Sequence, residues 1–99
     1  MTVKQVKRDL EEIKFYYANQ VDFELAAKSI GESAIASKVK KYNEAITRAS
    51  AILYSLYVAL YVNGSTQQDY ANDTNRTVNH ICRLNLQLCK FLISQFDGK

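Results

Sequence analysis

The chain of 99 residues contains no proline, no tryptophan and only three glycines, Gly31, Gly64 and Gly98. Because proline and glycine are the residues that most often interrupt helices and form tight turns, their scarcity leaves few natural breaks in the backbone. Hydrophobic residues make up 47% of the sequence, which is ordinary for a globular protein. We therefore expect an all-α protein of four to five helices, folded as one domain over residues 1–99.

The sequence also lacks a long apolar run. No stretch approaches the roughly 20 consecutive apolar residues that cross a bilayer as a helix. The start of the chain, MTVKQVKRDLEE, carries charges throughout and has no apolar centre of the kind found in secretion signals. These absences predict a cytoplasmic protein with reduced thiols and no membrane partner.

Residues that carry metal or catalytic chemistry are few, namely one histidine and two cysteines. On one helix, Cys82 and Cys89 would lie roughly 10 Å apart along the axis, whereas two thiolates on one zinc ion lie within roughly 4 Å of each other. No serine or cysteine motif accompanies His80, and no glycine-rich phosphate loop is present. We expect no enzymatic activity, no catalytic residues, no metal and no cofactor, and we interpret both cysteines as half-buried packing residues.

The net charge is mild, at +3 for the whole chain. Residues 1–48 carry nine Lys and Arg against seven Asp and Glu, and residues 49–99 carry four against three. Proteins that bind nucleic acid through the electrostatic field of the whole molecule usually carry a larger positive net charge. Any binding to nucleic acid must therefore come from the local placement of a few cations.

Apolar spacing predicts three helices in the N-terminal segment, 1–48. Thr2 and Gln5 form a predicted capping box for a helix over about 2–19. Asp22 is expected to cap a second helix that ends at Gly31, and a third helix follows. Their apolar positions are Val3, Val6, Leu10, Ile13 and Tyr17 in the first, Phe23, Ala26, Ala27 and Ile30 in the second, and Ile35, Val39, Tyr42 and Ile46 in the third.

The C-terminal segment, 49–99, begins with a denser apolar pattern over Ile52–Val62, which Asn63 and Gly64 end. Such a wide apolar face predicts a central core helix. Tyrosines at helical spacing are interpreted as core residues, although stacking on bases or a dimer contact would also use them. The apolar positions are Ile52, Leu53, Leu56, Tyr57, Leu60 and Tyr61, and the tyrosines in question are Tyr16, Tyr17, Tyr42, Tyr54, Tyr57 and Tyr61.

Two helix starts follow within a very polar stretch. Thr66 with Asp69 predicts a short helix over about 67–73, Asn75 suits a left-handed turn, and Thr77 can cap a long helix. At about 100° per residue the long helix has separate apolar and polar sides. A short helix, a tight turn and a long helix with one polar side predict a helix-turn-helix. The apolar line is Ile81, Leu84, Leu88 and Phe91 or Leu92, and the polar line is Asn79, Arg83, Gln87 and Lys90.

The stretch LYSLYVALYVNGSTQQDYANDTNRTVNHICRLNLQLCKFL resembles the region-4 helix-turn-helix of RNA polymerase sigma factors over about residues 52–92. It is also similar to the short ArpU-like transcriptional regulators of phages and prophages. The resemblance implies that the long helix lies in the major groove of double-stranded DNA. The DNA-binding residues expected from the resemblance and from the polar side are Arg76, Val78, Asn79, His80, Arg83, Gln87 and Lys90.

Two functions remain open. The first is a small DNA-binding transcriptional regulator of phage or mobile-element type. The second is a protein-interaction module on the same scaffold, which binds and modulates or inhibits a host protein such as RNA polymerase or a defence nuclease. A DNA site that consists of two half-sites would favour a homodimer, with one protomer bound to each half-site. The apolar stripe of the first helix, from Val3 to Tyr17, is either the dimer contact or part of the chain's own core.

Overall fold

The computed structural model describes residues 1–19 and 34–98, and the described residues form helices and no strands. The prediction of an all-α fold is confirmed. The predicted second helix, which begins near Asp22, lies outside the described residues. We number the described helices α1 (Val3–Ala18), α2 (Ala34–Ile46), α3 (Ala51–Tyr57, continuing as a π-helix over Val58–Val62), α4 (Gln67–Asp73) and α5 (Val78–Asp97).

Helix α1 begins at a complete capping box. The Thr2 hydroxyl accepts the amide hydrogen of Gln5 at 3.1 Å, and the Gln5 side chain accepts the amide hydrogen of Thr2 at 2.8 Å. Val6, Leu10 and Ile13 are completely buried, and α1 packs against the π-helical part of α3 and against α5. The α1 stripe therefore belongs to the chain's own core, and its predicted alternative use as a dimer contact is wrong.

Helix α3 lies at the centre of the fold, as its apolar density predicts. It contacts all four of the other described helices, and its buried residues are Leu53, Leu56, Tyr57, Leu60 and Tyr61. Two residues that were expected in the core are exposed, Ile52 by 38% and Tyr54 by 46%. Each lies about 100° around the helix from Leu53, on either edge of the buried face, so neither reaches the core.

A chain of side-chain hydrogen bonds joins the first three described helices. The Tyr57 hydroxyl on α3 donates to Asn43 Oδ1 on α2 at 2.7 Å, and Asn43 Nδ2 donates to the Tyr17 hydroxyl on α1 at 2.9 Å. The carbonyl oxygen of the Asn43 side chain thus gives the buried Tyr57 hydroxyl an acceptor, and the amide nitrogen of the same side chain links α2 to α1. The buried tyrosines require such partners, because an unpaired hydroxyl in the core destabilises the fold.

A second polar cluster fixes α2 on α1. Lys38 Nζ lies 3.0 Å from both Asp9 Oδ1 and Glu12 Oε1, and the Tyr42 hydroxyl donates to Asp9 Oδ2 at 2.6 Å. The hydrogen bond to Glu12 raises the pKa of Lys38 above its ordinary value, although partial burial acts in the opposite direction. Asp9 therefore receives hydrogen bonds from two side chains of α2, which sets the position of that helix along α1.

We expect the buried tyrosines to make the fold sensitive to alkaline pH. Burial raises the pKa of Tyr42, Tyr57 and Tyr61 well above the ordinary value, so the folded state keeps these protons while the unfolded state loses them. Their contribution to stability is complete below about pH 10 and is lost as the pH rises further. Above about pH 10 the free energy of unfolding should fall with a slope that rises toward roughly 1.4 kcal/mol per pH unit for each tyrosine.

Denaturant unfolding between pH 9 and 11 measures this slope. Tyr57→Phe should make the fall of the free energy of unfolding with pH less steep, because one of the three buried tyrosines no longer loses a proton on unfolding. Tyr54→Phe serves as the matched control, because the Tyr54 ring is exposed on the same helix. Identical slopes for the two variants would contradict the assignment.

Candidate nucleic-acid interface

The candidate interface begins with α4, whose bounds agree with the sequence prediction. The Thr66 hydroxyl accepts the amide hydrogen of Asp69 at 3.0 Å and caps the helix. Ala71 is the buried residue of α4, which packs against α5 and the end of α3. A methyl side chain at this position lets the backbones of α4 and α5 approach closely.

The turn between α4 and α5 is built around Asn75, whose φ of 55° confirms the predicted left-handed conformation. The amide of Arg76 donates to the Ala71 carbonyl at 2.8 Å, and the amide of Asn75 donates to the Asn72 carbonyl at 3.3 Å. This pair of hydrogen bonds is the Schellman motif, which satisfies carbonyls at the end of a helix and reverses the chain. The Thr74 hydroxyl donates a hydrogen bond to the Tyr70 carbonyl at 2.7 Å, so this half-buried polar group has a partner.

Helix α5 starts at the predicted cap, where the Thr77 hydroxyl accepts the amide hydrogen of His80 at 3.1 Å. Its predicted apolar line is confirmed, with Leu92 fully buried and Phe91 half-buried. One side of this 20-residue helix therefore packs on the core along most of its length. The buried residues are Ile81, Leu84, Asn85, Leu88, Cys89 and Leu92.

The opposite side of α5 carries the residues that the sequence predicts to contact DNA. The turn and the first two turns of the helix border an open cleft of about 550 Å³, lined by Asn75, Arg76, Thr77, His80 and Arg83. Gln87 and Lys90 lie one and two turns beyond Arg83 and do not border this cleft. Of the predicted contacts, Arg76, Asn79, Arg83, Gln87 and Lys90 are exposed, whereas Val78 and His80 are half-buried.

The charges on this side are all of one sign. Between residues 74 and 96 the sequence contains Arg76, Arg83 and Lys90 and no aspartate or glutamate. These cations recur every seven residues, which is close to two helical turns, so Arg83 and Lys90 share one side of α5 and Arg76 extends it into the turn. A mildly charged protein thus has a locally basic surface.

Two features of α5 were not anticipated from the sequence. Leu86 is 38% exposed at the edge of the polar side. Cys82 is exposed and donates to Gln67 Oε1 on α4 at 3.2 Å, so its predicted half-buried packing role is wrong. Cys89 is buried, and burial raises the pKa of its thiol.

In the part of the chain that the structure describes, no group of three or more His, Cys, Asp or Glu could coordinate a metal.

Comparison with protein-family models, with curated proteins and with solved structures gives no match to this chain. The resemblance to sigma region 4 and to the ArpU-like regulators therefore stays a prediction. Within residues 1–19 and 34–98, no helix combines the length and the apolar character that crossing a membrane requires.

We expect Thr77 to stabilise the start of α5 measurably. Thr77→Ala should lower the free energy of unfolding by about 1 kcal/mol, because the His80 amide loses its side-chain acceptor. Thr77→Ser keeps the hydroxyl and should restore most of that loss. Denaturant unfolding of the three proteins measures the effect, and equal losses for alanine and serine would exclude capping as the cause.

Proposed function

We propose that this protein binds double-stranded DNA as a small transcriptional regulator, with α4 and α5 acting as a helix-turn-helix. The observation that carries the proposal is the exposed side of α5 from Arg76 to Lys90, which is polar and cationic and has no acidic residue. The opposite side of the same helix is buried, so these side chains project from a rigid support. A helix presented in this way fits the width of the major groove.

Each contact has a separate chemical role. Arg83 is the best candidate for paired hydrogen bonds to O6 and N7 of guanine, and Asn79, one turn earlier, suits adenine. The half-buried Val78 offers an apolar contact for a thymine methyl group. Arg76 and Lys90, at the two ends of the exposed side, are assigned to backbone phosphates, because a basic side chain at the edge of a groove meets phosphate first.

The side chain of Arg83 provides the test of base recognition. Because Arg83 is exposed, Arg83→Ala should leave the fold intact. It should cost about 1–3 kcal/mol of specific binding and relax the sequence preference at one base pair. Selection of bound fragments from a random DNA library, followed by affinity measurement with parent and variant, checks this. Unchanged preference in a folded variant would refute the assignment of Arg83.

Lys90 provides the matched comparison. Lys90→Ala should weaken binding to all sequences alike and reduce the slope of log affinity against log salt by about one. Binding of parent and variant is measured at two or more salt concentrations on preferred and non-preferred fragments. A change in sequence preference without a change in slope would contradict the phosphate assignment.

The exposed Leu86 favours a second candidate, a protein-interaction module that modulates a host protein such as RNA polymerase or a defence nuclease. The core of a protein interface is depleted of charged residues, and Leu86 is an uncharged apolar side chain beside the polar residues of α5. If the parent protein retains no DNA fragment at low salt, DNA binding is wrong and this second function takes its place. A homodimer on two half-sites would require a contact other than the buried α1 stripe.

A further inference from the structure

The cleft at the start of α5 is lined by side chains from the turn and from the helix. Arg76 comes from the turn, and His80 and Arg83 come from the first two turns of the helix. Because His80 and Arg83 are three residues apart, they share one side of α5. The remaining lining residues, Asn75 and Thr77, add an amide and a hydroxyl group. The cleft is therefore rich in groups that donate hydrogen bonds.

The charges of the cleft favour an anionic ligand. Among the residues that the structure describes, no carboxylate lines it. The guanidinium groups of Arg76 and Arg83 each carry five N–H donors and no acceptor. A phosphate group is negatively charged and accepts hydrogen bonds, and charge-assisted hydrogen bonds of this kind are roughly twice as strong as neutral ones. The chemistry of the lining residues therefore matches phosphate.

His80 differs from the other lining residues because the charge of an imidazole depends on pH near neutrality. It is the single histidine of the chain, and histidine is the side chain that ordinarily gains or loses its charge between about pH 5 and 8. A neutral imidazole has one N–H donor and one acceptor, whereas the protonated form has two donors and a positive charge. The oxygens of a phosphodiester only accept, so the protonated form is the better partner for them.

The fold fixes where the His80 side chain lies. Its backbone amide donates to the Thr77 hydroxyl at 3.1 Å, and the next residue, Ile81, is completely buried. His80 itself is half-buried, so its ring borders the cleft from the edge of the core. Arg83 is exposed and keeps its assignment to a base. Arg76 and His80 are therefore the pair that would hold a phosphate.

The other charged and titratable groups on the elements around α5 lie outside the cleft, as far as the described residues go. Arg76 and Arg83 are therefore the charges that face His80. The groups outside it are Asp69, Tyr70 and Asp73 on α4, Tyr61 at the end of α3, Lys7 on α1 near Cys89, Lys41 on α2 over the Phe96 ring, and Cys82 on α5 itself, which donates to Gln67.

We propose that this cleft binds a phosphate group through Arg76 and the protonated imidazole of His80, so that binding takes up a proton. That the phosphate belongs to a DNA backbone rests on the proposed function, whereas the affinity of the cleft for phosphate does not. Because the bound state favours the protonated ring, the affinity is highest at low pH. It falls as the pH rises through the range in which histidine loses its proton.

The pH dependence of DNA binding tests the proposal. Binding of the parent and of His80→Gln to duplex fragments is measured at about pH 5.5 and about pH 7.5, at several salt concentrations and without phosphate buffer. The parent should bind at least about fivefold more weakly at the higher pH, because a charge-assisted hydrogen bond is lost. Its slope of log affinity against log salt should also become smaller in magnitude by about one. Glutamine keeps an N–H donor and does not titrate, so His80→Gln should show neither change.

Lys90→Ala is the matched control. It removes a cation from the same side of α5 but outside the cleft, so it should weaken binding by the same factor at both pH values. Thermal unfolding at both pH values verifies that each protein is folded. The proposal is overturned by a parent whose affinity does not change with pH, by a His80→Gln variant that keeps the pH dependence of the parent, or by a Lys90→Ala variant that loses it.

Inorganic phosphate separates this proposal from the proposed function. Because the chain has one histidine, its imidazole gives one set of NMR signals, which is followed at about pH 6 as phosphate is added, with chloride at equal ionic strength as the reference. We expect a saturable change in the parent and weaker binding in Arg76→Gln. If the parent binds no DNA but shows this change, the proposed function is wrong and the phosphate site stands. No saturable change, or the same change with chloride, overturns the site.

Discussion

The fold depends on the requirement that the tyrosine hydroxyls of the central helix find partners inside the core. Tyr57 and Tyr61 are bulky enough to fill the space between the surrounding helices, but each brings a polar group that cannot reach water easily. Asn43 on α2 and Asn85 on α5 accept these hydroxyls. Two neighbouring helices are therefore positioned by directional contacts as well as by apolar packing, which has no direction of its own.

The position of the candidate interface depends on this packing around α3. Helix α5 is held along its buried side by α1, α2 and α3, and its start is set by the turn at Asn75 and the cap at Thr77. The cations that we assign to DNA need no partners of their own in the core, because they project from the opposite side. The proposed recognition and the stability of the fold thus use different sides of one helix, so the exposed side can vary in sequence without loss of the fold.

Local features could be predicted from the sequence, and features that depend on a distant neighbour could not. Capping by Thr2, Thr66 and Thr77 and the left-handed turn at Asn75 follow from residues within a few positions of each other. The burial of Asn85 depends on Tyr61, 24 residues earlier, and the sequence offers no signal for that pairing. For the same reason the sequence does not predict that Cys82 and Tyr54 are exposed. It also does not decide whether the α1 stripe packs in the chain's own core or in a dimer contact.

Helix α4, with seven residues, is much shorter than the roughly 12–15 residues that an isolated helix needs in water. Its hydrogen bonds persist because Thr66 caps one end, the Schellman turn closes the other, and Ala71 packs on α5. Its amides should therefore exchange with solvent through local opening, before the amides of α3, whose buried residues lie at the centre of the fold. A ligand that touches both α4 and α5 would slow that exchange, so a helix too short to persist alone would report binding through the protection of its amides.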